Sequence, residues 1–100
     1  MINFAGVNID SLNFGDSDIM DRLRVLYTTA AGTVPLDRSF GIDTSIVDLP
    51  LPQAMTRLVV EYRDKTRQYE SGVIVEEVSF DEADPLSGQL IPKVVVSRDD

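Results

Sequence analysis

Four glutamates are the side chains of this sequence best placed to do acid–base chemistry: Glu61, Glu70, Glu76 and Glu77. A carboxylate-dependent peptidoglycan hydrolase of the lysozyme type needs two carboxyl groups on opposite sides of a cleft, one of them kept protonated. Basic residues surround Glu61 in the sequence and can pair with it. Adjacent glutamates on a strand of a small sheet have little material around them to wall a cleft. We therefore expect solvated or ion-paired carboxylates rather than an enzyme.

Other catalytic and ligand-binding chemistry lacks its usual residues. The chain has no cysteine and no histidine, so it lacks the common ligands of zinc, copper and haem and the Ser-His and Cys-His nucleophile systems. A calcium loop beginning at Asp16 would have Asp21 in place of the required glycine and Tyr27 in place of the bidentate glutamate. The six glycines are scattered, so no phosphate loop is predicted. We expect no metal and no cofactor.

Charge argues against polyanionic partners. The net charge is −8, and residues 70–100 hold most of the negative charge while residues 19–69 are nearly balanced. Nucleic acids and anionic membranes both reward clusters of Lys and Arg, so neither is an expected partner. The first ten residues, M-I-N-F-A-G-V-N-I-D, contain no basic residue and no continuous apolar run, which is unlike a secretory signal or a membrane anchor. These features predict a soluble, cytoplasmic protein.

Two helices are predicted from apolar periodicity. The first runs over about 17–30, with Asp16 or Ser17 as the N-cap and Gly32 at a C-cap position. The second runs over about 52–69, with Pro52 in its first turn. Its apolar stripe comprises Met55, Leu58, Val59, Tyr62, Thr66 and Tyr69.

The remaining segments predict strands. Residues 1–15 alternate loosely and are interpreted as an extended arm. A hairpin is predicted over about 73–97, with a bulge or a change of exposed face at Glu76-Glu77 and with Pro92 at an edge position or a bulge. Its turn is the segment D-E-A-D-P-L-S-G. The predicted fold is a single α+β domain over residues 1–100, with two helices packed on a small, mostly antiparallel sheet that includes the C-terminal β-hairpin. The extended N-terminal arm covers residues 1–15 and the α+β core covers residues 16–100.

Between the helices lies a loop with an unusual composition, G-T-V-P-L-D-R-S-F-G-I-D, residues 32–43. Pro35 restricts the backbone, and Gly41 is expected to adopt a conformation that other residues avoid. Phe40 is either a core residue or an interface anchor, and Asp37 and Arg38 either hold the loop or reach a partner. The segment around Val34 can pair with the segment around Ile46 as a short hairpin. The composition indicates a stiff joint between elements or subunits.

The same loop carries a family resemblance. The first helix, the G-T-V-P-L-D-R-S-F-G-I-D segment, a helix ending near R-Q-Y-E and the strand V-I-V-E-E-V-S-F together resemble the small baseplate wedge protein of contractile phage tails. This family, also called baseplate assembly protein W or lysozyme-like wedge protein, is related to a baseplate subunit of type VI secretion. The resemblance covers roughly residues 17–97, and the loop is its most specific part. Family members carry Glu-Pro-Arg after the second helix, whereas this chain has Glu70-Ser71-Gly72, so only the glutamate matches.

The resemblance implies a structural role. The family's members bind larger baseplate wedge subunits, help to nucleate the tail sheath by strand addition, and lie near the tail tube and hub. Such a protein is found in the host cell cytoplasm during assembly and in the baseplate of the mature particle. The interface residues expected from the resemblance and from residue type are Asp37, Arg38, Phe40, Arg67, Glu70, Val94, Val95 and Val96.

The termini leave two alternatives open. Residues 2–14 and 90–97 either pair with a neighbouring chain by strand addition or, in the case of the arm, pack on the chain's own sheet. For the whole protein, a hydrolase and a free-standing module that binds a protein partner remain as alternative functions.

Overall fold

The computed structural model describes residues 6–12, 15, 17–84 and 89–98. The predicted N-cap at Asp16, residues 1–5, 13 and 14 of the arm and residues 85–88 of the predicted hairpin turn lie outside the described residues. The first half of that predicted turn, residues 81–84, belongs to a strand instead. In chain order the elements are strand β1 (Asn8–Ser11), helix α1 (Ser17–Thr28), a 3₁₀ helix (Thr44–Asp48), helix α2 (Leu51–Tyr69), strand β2 (Val73–Asp84) and strand β3 (Gln89–Arg98). Two helices, a three-stranded mixed sheet, a C-terminal hairpin and an N-terminal strand confirm the predicted α+β fold.

β3 is the central strand of the sheet, whose order is β1-β3-β2. β2 pairs with it in antiparallel fashion, from Val73 opposite Arg98 onwards. β1 pairs with its other side in parallel fashion, with Asn8 opposite Lys93 and Ser11 opposite Val96. The described part of the arm therefore packs on the chain's own sheet. The expectation that residues 90–97 pair with a neighbouring chain is wrong over Lys93–Val96, which already has a strand on each side.

The strand irregularities fall close to where the sequence predicts them. The β2–β3 register shifts between Val75 and Glu77, which confirms the bulge at Glu76. Pro92 lies opposite Phe80 inside the hairpin and is fully buried on the central strand, so its predicted edge position is wrong. The β1 pairing begins only at Lys93, one residue after Pro92, so the missing proline N–H falls just outside the paired stretch.

The helices follow the predicted periodicity with small changes at their ends. α2 begins at Leu51, with Pro52 in its first turn as predicted, and buries four residues spaced four apart: Ala54, Leu58, Tyr62 and Thr66. α1 ends at Thr28, earlier than predicted. The helix therefore ends before Gly32, which belongs to the following loop and not to the predicted C-cap position. Among the described residues, no helix is long and apolar enough to cross a membrane.

The predicted short hairpin between the helices is wrong. The chain forms a single parallel bridge between Ala30 and Ile42 and then the 3₁₀ helix. The Asp43 carboxylate caps that helix by accepting from the Ser45 N–H at 3.0 Å, a local bond that competes with strand formation.

One apolar core joins both helices to the sheet. Its buried members come from every element: Val7, Ile9, Leu23, Leu26, Tyr27, Ile42, Ile46, Ala54, Leu58, Tyr62, Val73, Val75, Val94 and Val96. At the contact between the helices, Tyr27 and Tyr62 pack edge to face with ring centroids 4.9 Å apart. Thr66 Oγ1 donates to the Tyr62 carbonyl at 2.7 Å. Because that hydroxyl has one proton, the Tyr27 hydroxyl is the donor in its own bond to Thr66 Oγ1.

The two buried tyrosines should respond differently to loss of their hydroxyls. Tyr62 Oη has no hydrogen-bond partner among the described residues. Tyr62→Phe is therefore expected to leave the free energy of unfolding unchanged or to raise it by up to about 1 kcal/mol. Tyr27→Phe is expected to lower it by about 1 kcal/mol, because it removes a buried bond. Urea unfolding of both variants measures this difference, and a clear loss for Tyr62→Phe would contradict it.

Stability should fall at alkaline pH. Burial raises the pKa of Tyr27 to about 12 and also raises the pKa of Tyr62. A raised folded-state pKa favours the neutral phenol, so its stabilisation is complete below the ordinary pKa near 10 and is lost as pH rises through the folded value. We expect Tyr27→Phe to reduce the pH slope of the free energy of unfolding between about pH 10.5 and 12 by roughly 1 kcal/mol per pH unit, because the folded and unfolded states differ by less than one bound proton over this range. Urea unfolding across this range tests it, and parallel curves for variant and parent would contradict it.

Candidate protein interface

The loop of residues 32–43 is closed at its neck by main-chain bonds. The Ala31 N–H donates to the Ile42 carbonyl at 2.9 Å, and the Ile42 N–H donates to the Thr29 carbonyl at 2.8 Å. Across the loop, the Gly32 N–H donates to the Arg38 carbonyl at 2.8 Å. These bonds fix the start and the end of the loop against each other.

Gly41 is required by this neck. Its φ is +105°, and an added Cβ would lie 2.4 Å from the Thr29 carbonyl oxygen. The predicted special conformation is therefore confirmed. Gly32 also has a positive φ, +92°, but a Cβ there would meet no atom within 4 Å. Only Gly41 combines an unfavourable conformation with a close backbone approach.

Asp37 is the centre of a polar cluster that ties the loop to α2. Its Oδ1 accepts from the Tyr69 hydroxyl at 2.9 Å and from the Ser39 hydroxyl at 2.9 Å. The hydrogen bonds from Tyr69 and then Ser39 hold the pKa of the Asp37 carboxyl below its usual value. Lys65 Nζ donates to the Ser39 carbonyl, and Gln68 Nε2 donates to the Ser39 hydroxyl at 3.4 Å. Three side chains of α2 thus hold one short loop segment.

Two glutamates, one in α2 and one directly after it, make further contacts with the end of the loop and with α1. The Glu61 carboxylate accepts from the Asp43 N–H at 2.7 Å, immediately after the loop. At the end of the helix, Glu70 Oε1 pairs with Arg22 Nε of α1 at 2.5 Å, with 15% of the Glu70 side chain exposed. The predicted interface residue Glu70 is therefore engaged within the chain, where it links the two helices.

A shallow apolar cleft lies between α1, the loop and the end of α2. Its volume is about 330 Å³, and its lining comprises Asp21, Arg22, Val25, Leu26, Phe40, Tyr69 and Glu70. Phe40 packs edge to face on Tyr69, with ring centroids 5.0 Å apart, and is half-buried. It thus contacts the core and also forms part of the cleft wall, which combines the two alternatives predicted for it.

The loop also carries two exposed side chains at its tip. The Leu36 side chain is fully exposed, at 100%. Arg38 is exposed, and its side chain has no ion-pair or hydrogen-bond partner among the described residues. Arginine is enriched at protein interfaces, and a fully exposed leucine held on a stiff loop offers apolar area that a partner can remove from water.

The other predicted interface residues are not part of this cluster. Val94 and Val96 are completely buried on the central strand, and Val95 is half-buried there. Val94 and Val96 expose no surface to a partner, so their prediction as interface residues is corrected to a core role. Arg67 lies away from the loop, beside the first residues of β2.

Sequence reasoning missed three contributors to this site. Tyr69 was predicted only as a core residue, and its hydroxyl bond to Asp37 spans 32 residues. Arg22 was not singled out, because its partner Glu70 is 48 residues away. Leu36 had a usable signal, since a leucine between proline and aspartate in a turn-rich segment has no apolar periodicity that would bury it.

Of the other glutamates considered for catalysis, Glu76 has a structural partner. Glu76 accepts from the Ser97 hydroxyl at 2.5 Å, and Glu70 and Glu76 line different cavities. Within the described residues, no group of three or more acidic side chains is arranged to hold a metal ion.

The close approach at Gly41 yields a matched pair of variants. Gly41→Ala is expected to lower the free energy of unfolding by about 3 kcal/mol, because it adds both a backbone cost and a clash with Thr29. Gly32→Ala should lower it by only about 1–2 kcal/mol, because the backbone cost alone applies. Chemical unfolding of the two variants measures the difference, and equal losses would show that the Gly41 contact is not constrained.

Comparisons with models of protein families, with curated proteins and with solved structures found no match to this chain.

Proposed function

We propose that this protein is a structural subunit of a contractile-tail baseplate, in a phage or a phage-like particle, that binds larger wedge subunits through the loop of residues 32–43. The observation that carries the proposal is the construction of this loop. Its neck is closed by main-chain bonds, its base is held by Tyr69 and Lys65, and its tip presents Leu36 and Arg38 to solvent. A preorganised loop of this kind loses little conformational entropy when it binds.

The cleft beside the loop supports the same role. It offers a mostly apolar surface at Val25 and Phe40, rimmed by the Arg22–Glu70 pair. A partner side chain placed there would contact both helices and the loop together. The family's glutamate occupies this rim as Glu70, and the family's arginine is replaced, so the contact with wedge partners would rely on Arg22 or Arg38 at this end of the molecule rather than on Arg67.

Sheath nucleation by strand addition belongs to the same proposal, with changed geometry. β3 already has a strand on each side over Lys93–Val96, so an incoming strand would add to the outer edge of β1 or of β2. Deleting residues 91–100 would remove the central strand and its buried valines. Such a truncation would test folding rather than assembly.

In this proposal the protein works in the host cell cytoplasm during assembly and then in the mature baseplate, next to the sheath and the tail tube or hub. The hydrolase alternative gains no support from the arrangement of Glu61, Glu70 and Glu76, because each holds a structural contact within the chain. A module that binds an unrelated protein partner would use the same loop and is separated from the baseplate role by the identity of the partner.

The proposal predicts which surface changes will break assembly. Leu36→Ser and Arg38→Ala are each expected to weaken association with co-expressed larger wedge subunits by roughly ten-fold or more, because anchors at an interface centre carry most of its free energy. Light scattering on size-exclusion chromatography measures the heteromeric peak. Val60→Ser is the matched control, since Val60 is half-exposed on α2 and outside the loop and cleft.

Two results would contradict the proposal. Normal co-elution of both loop variants would remove the loop from the interface. A chain that stays monomeric with every tail subunit would remove the baseplate role, and a turnover assay on peptidoglycan would then test the hydrolase alternative.

A further inference from the structure

A second surface, on the other side of α2 from the loop, has features of a binding site. β2 is an outer strand of the sheet, so one of its edges has no strand partner among the described residues. The first residues of that strand line a depression of about 500 Å³ together with the C-terminal half of α2. The lining comprises Arg63, Arg67, Ser71, Val73, Ile74, Val75 and Glu76.

Two arginines face this depression without partners. Arg63 and Arg67 are four residues apart on α2, so their side chains leave the same face of the helix about 5–6 Å apart. Both are exposed, and neither has an ion-pair partner among the described residues. Unpaired arginines side by side are unexpected in a chain of net charge −8, where carboxylates are plentiful. Their arrangement suits a carboxylate, which a guanidinium binds through two parallel hydrogen bonds.

The edge of β2 supplies the complementary backbone. Val73 and Val75 are buried, while Ile74 between them is 43% exposed. Side-chain burial therefore alternates along this outer strand, and the apolar side chain of Ile74 is left exposed to solvent. The Val73 N–H already donates to the Glu70 carbonyl at 3.0 Å, so an extended segment of another chain would pair with the remaining backbone groups of this open edge.

We propose that the outer edge of β2 at Val73–Glu76 binds an extended acidic segment of a partner protein, which adds as a strand and places a carboxylate against Arg63 and Arg67. Since side chains of a strand alternate between its faces, one face of the added strand would present the carboxylate to the arginines. The other face would present an apolar side chain to Ile74. The recognised pattern is therefore an acidic residue flanked on both sides by apolar ones.

Glu76, which also lines the depression, sets the limit of the site. Its carboxylate accepts from the Ser97 hydroxyl of β3 at 2.5 Å, and the residue remains exposed at the depression. The bulge at this residue breaks the regular ladder, since the register shifts between Val75 and Glu77. An added strand therefore finds a regular edge at Val73–Val75. Beyond this stretch the Glu76 charge and the bulge oppose further pairing. The acidic residue of the added strand must therefore lie next to Val73–Val75.

The inference rests on the strand addition proposed above and adds which edge is used and what chemistry the added segment has. Its test needs no tail subunit, so the peptide experiment can fail while the contact of the loop with wedge subunits holds, and the reverse. The probe is the capped peptide acetyl-Thr-Val-Asp-Val-Thr-Val-amide, whose aspartate lies on one face and whose valines lie on the other. Titration of the ¹⁵N-labelled full chain with this peptide should shift the amides of Val73–Glu76 and the Nε–H signals of Arg63 and Arg67. The peptide with asparagine in place of aspartate should bind about ten-fold more weakly, because it lacks the charge.

Variants test the role of the arginines. In the double variant Arg63→Ala with Arg67→Ala, the two peptides should bind equally well. The control Arg57→Ala, an exposed arginine earlier on α2 that lies outside the depression, should keep the ten-fold preference. Both variants should retain the parent's thermal midpoint, since these side chains hold no ion pair among the described residues.

Several outcomes would overturn the inference. One is equal affinity of the parent chain for both peptides, and another is a set of shifts centred elsewhere. A ten-fold gain in peptide affinity on deleting Asp99 and Asp100, which follow Arg98 opposite Val73, would assign the site to the chain's own acidic end. Self-association that the double arginine variant abolishes would assign it to a second copy.

Discussion

The structure depends on the burial of the central strand, β3. Val94 and Val96 have no exposed surface, and each fully buried valine contributes about 1.5 kcal/mol or more to folding by removal of apolar area from water. The strand also joins the two ends of the chain, since β1 pairs with it in parallel on one side and β2 in antiparallel fashion on the other. In a chain this small no other element could take its place, because both helices rest on the core that it completes. Within the described part of the sheet, the edges open to another chain are therefore the outer edges of β1 and β2 and the part of β3 that precedes Lys93.

Features that arise from nearby residues were predictable from the sequence. The apolar period of α2, its proline in the first turn, the bulge at Glu76 and the special conformation of Gly41 are all local signals, and the structure contains each of them. The positions that failed were decided over long distances. A three-valine segment near the C-terminus has the same sequence whether it is an edge or a centre, and only the arrival of Asn8–Ser11 made it the centre. The same holds for the site. Asp37, Arg38 and Phe40 share a loop, so the sequence groups them. The bonds between Asp37 and Tyr69 and between Arg22 and Glu70 join residues far apart in the chain, so the sequence does not indicate them.

α2 separates the two surfaces proposed here as binding faces. Its period of 3.6 residues sends Tyr62 and Thr66 into the core, Lys65 and Tyr69 to the loop, and the arginine pair to the edge of β2. This division explains why neighbouring residues of one helix take part in unrelated sites. The charge pattern differs between neighbouring elements, because basic side chains concentrate on the second half of α2, whereas β2, which follows it, carries acidic side chains and no basic one. Electrostatic attraction of an acidic segment is thereby confined to one side of the helix.

The two faces differ in how binding is prepared. The loop is preorganised before a partner binds. The close approach at Gly41, the hydrogen bond from the Tyr69 hydroxyl and the Lys65 contact restrict its conformation, so binding costs it little conformational entropy. At the edge of β2 the backbone is ordered but the incoming segment is not, so the ordering cost falls on the partner and the affinity there must come from main-chain bonds and charge. Glu70 stands between the faces, since its side chain holds Arg22 at the cleft while its carbonyl accepts the Val73 N–H at 3.0 Å where β2 begins. A partner that disturbed the Arg22–Glu70 pair would therefore act on Glu70, whose carbonyl holds Val73, the first residue of β2. A rigid joint with one residue shared between both faces suits a small protein that must hold two larger ones in a fixed relation.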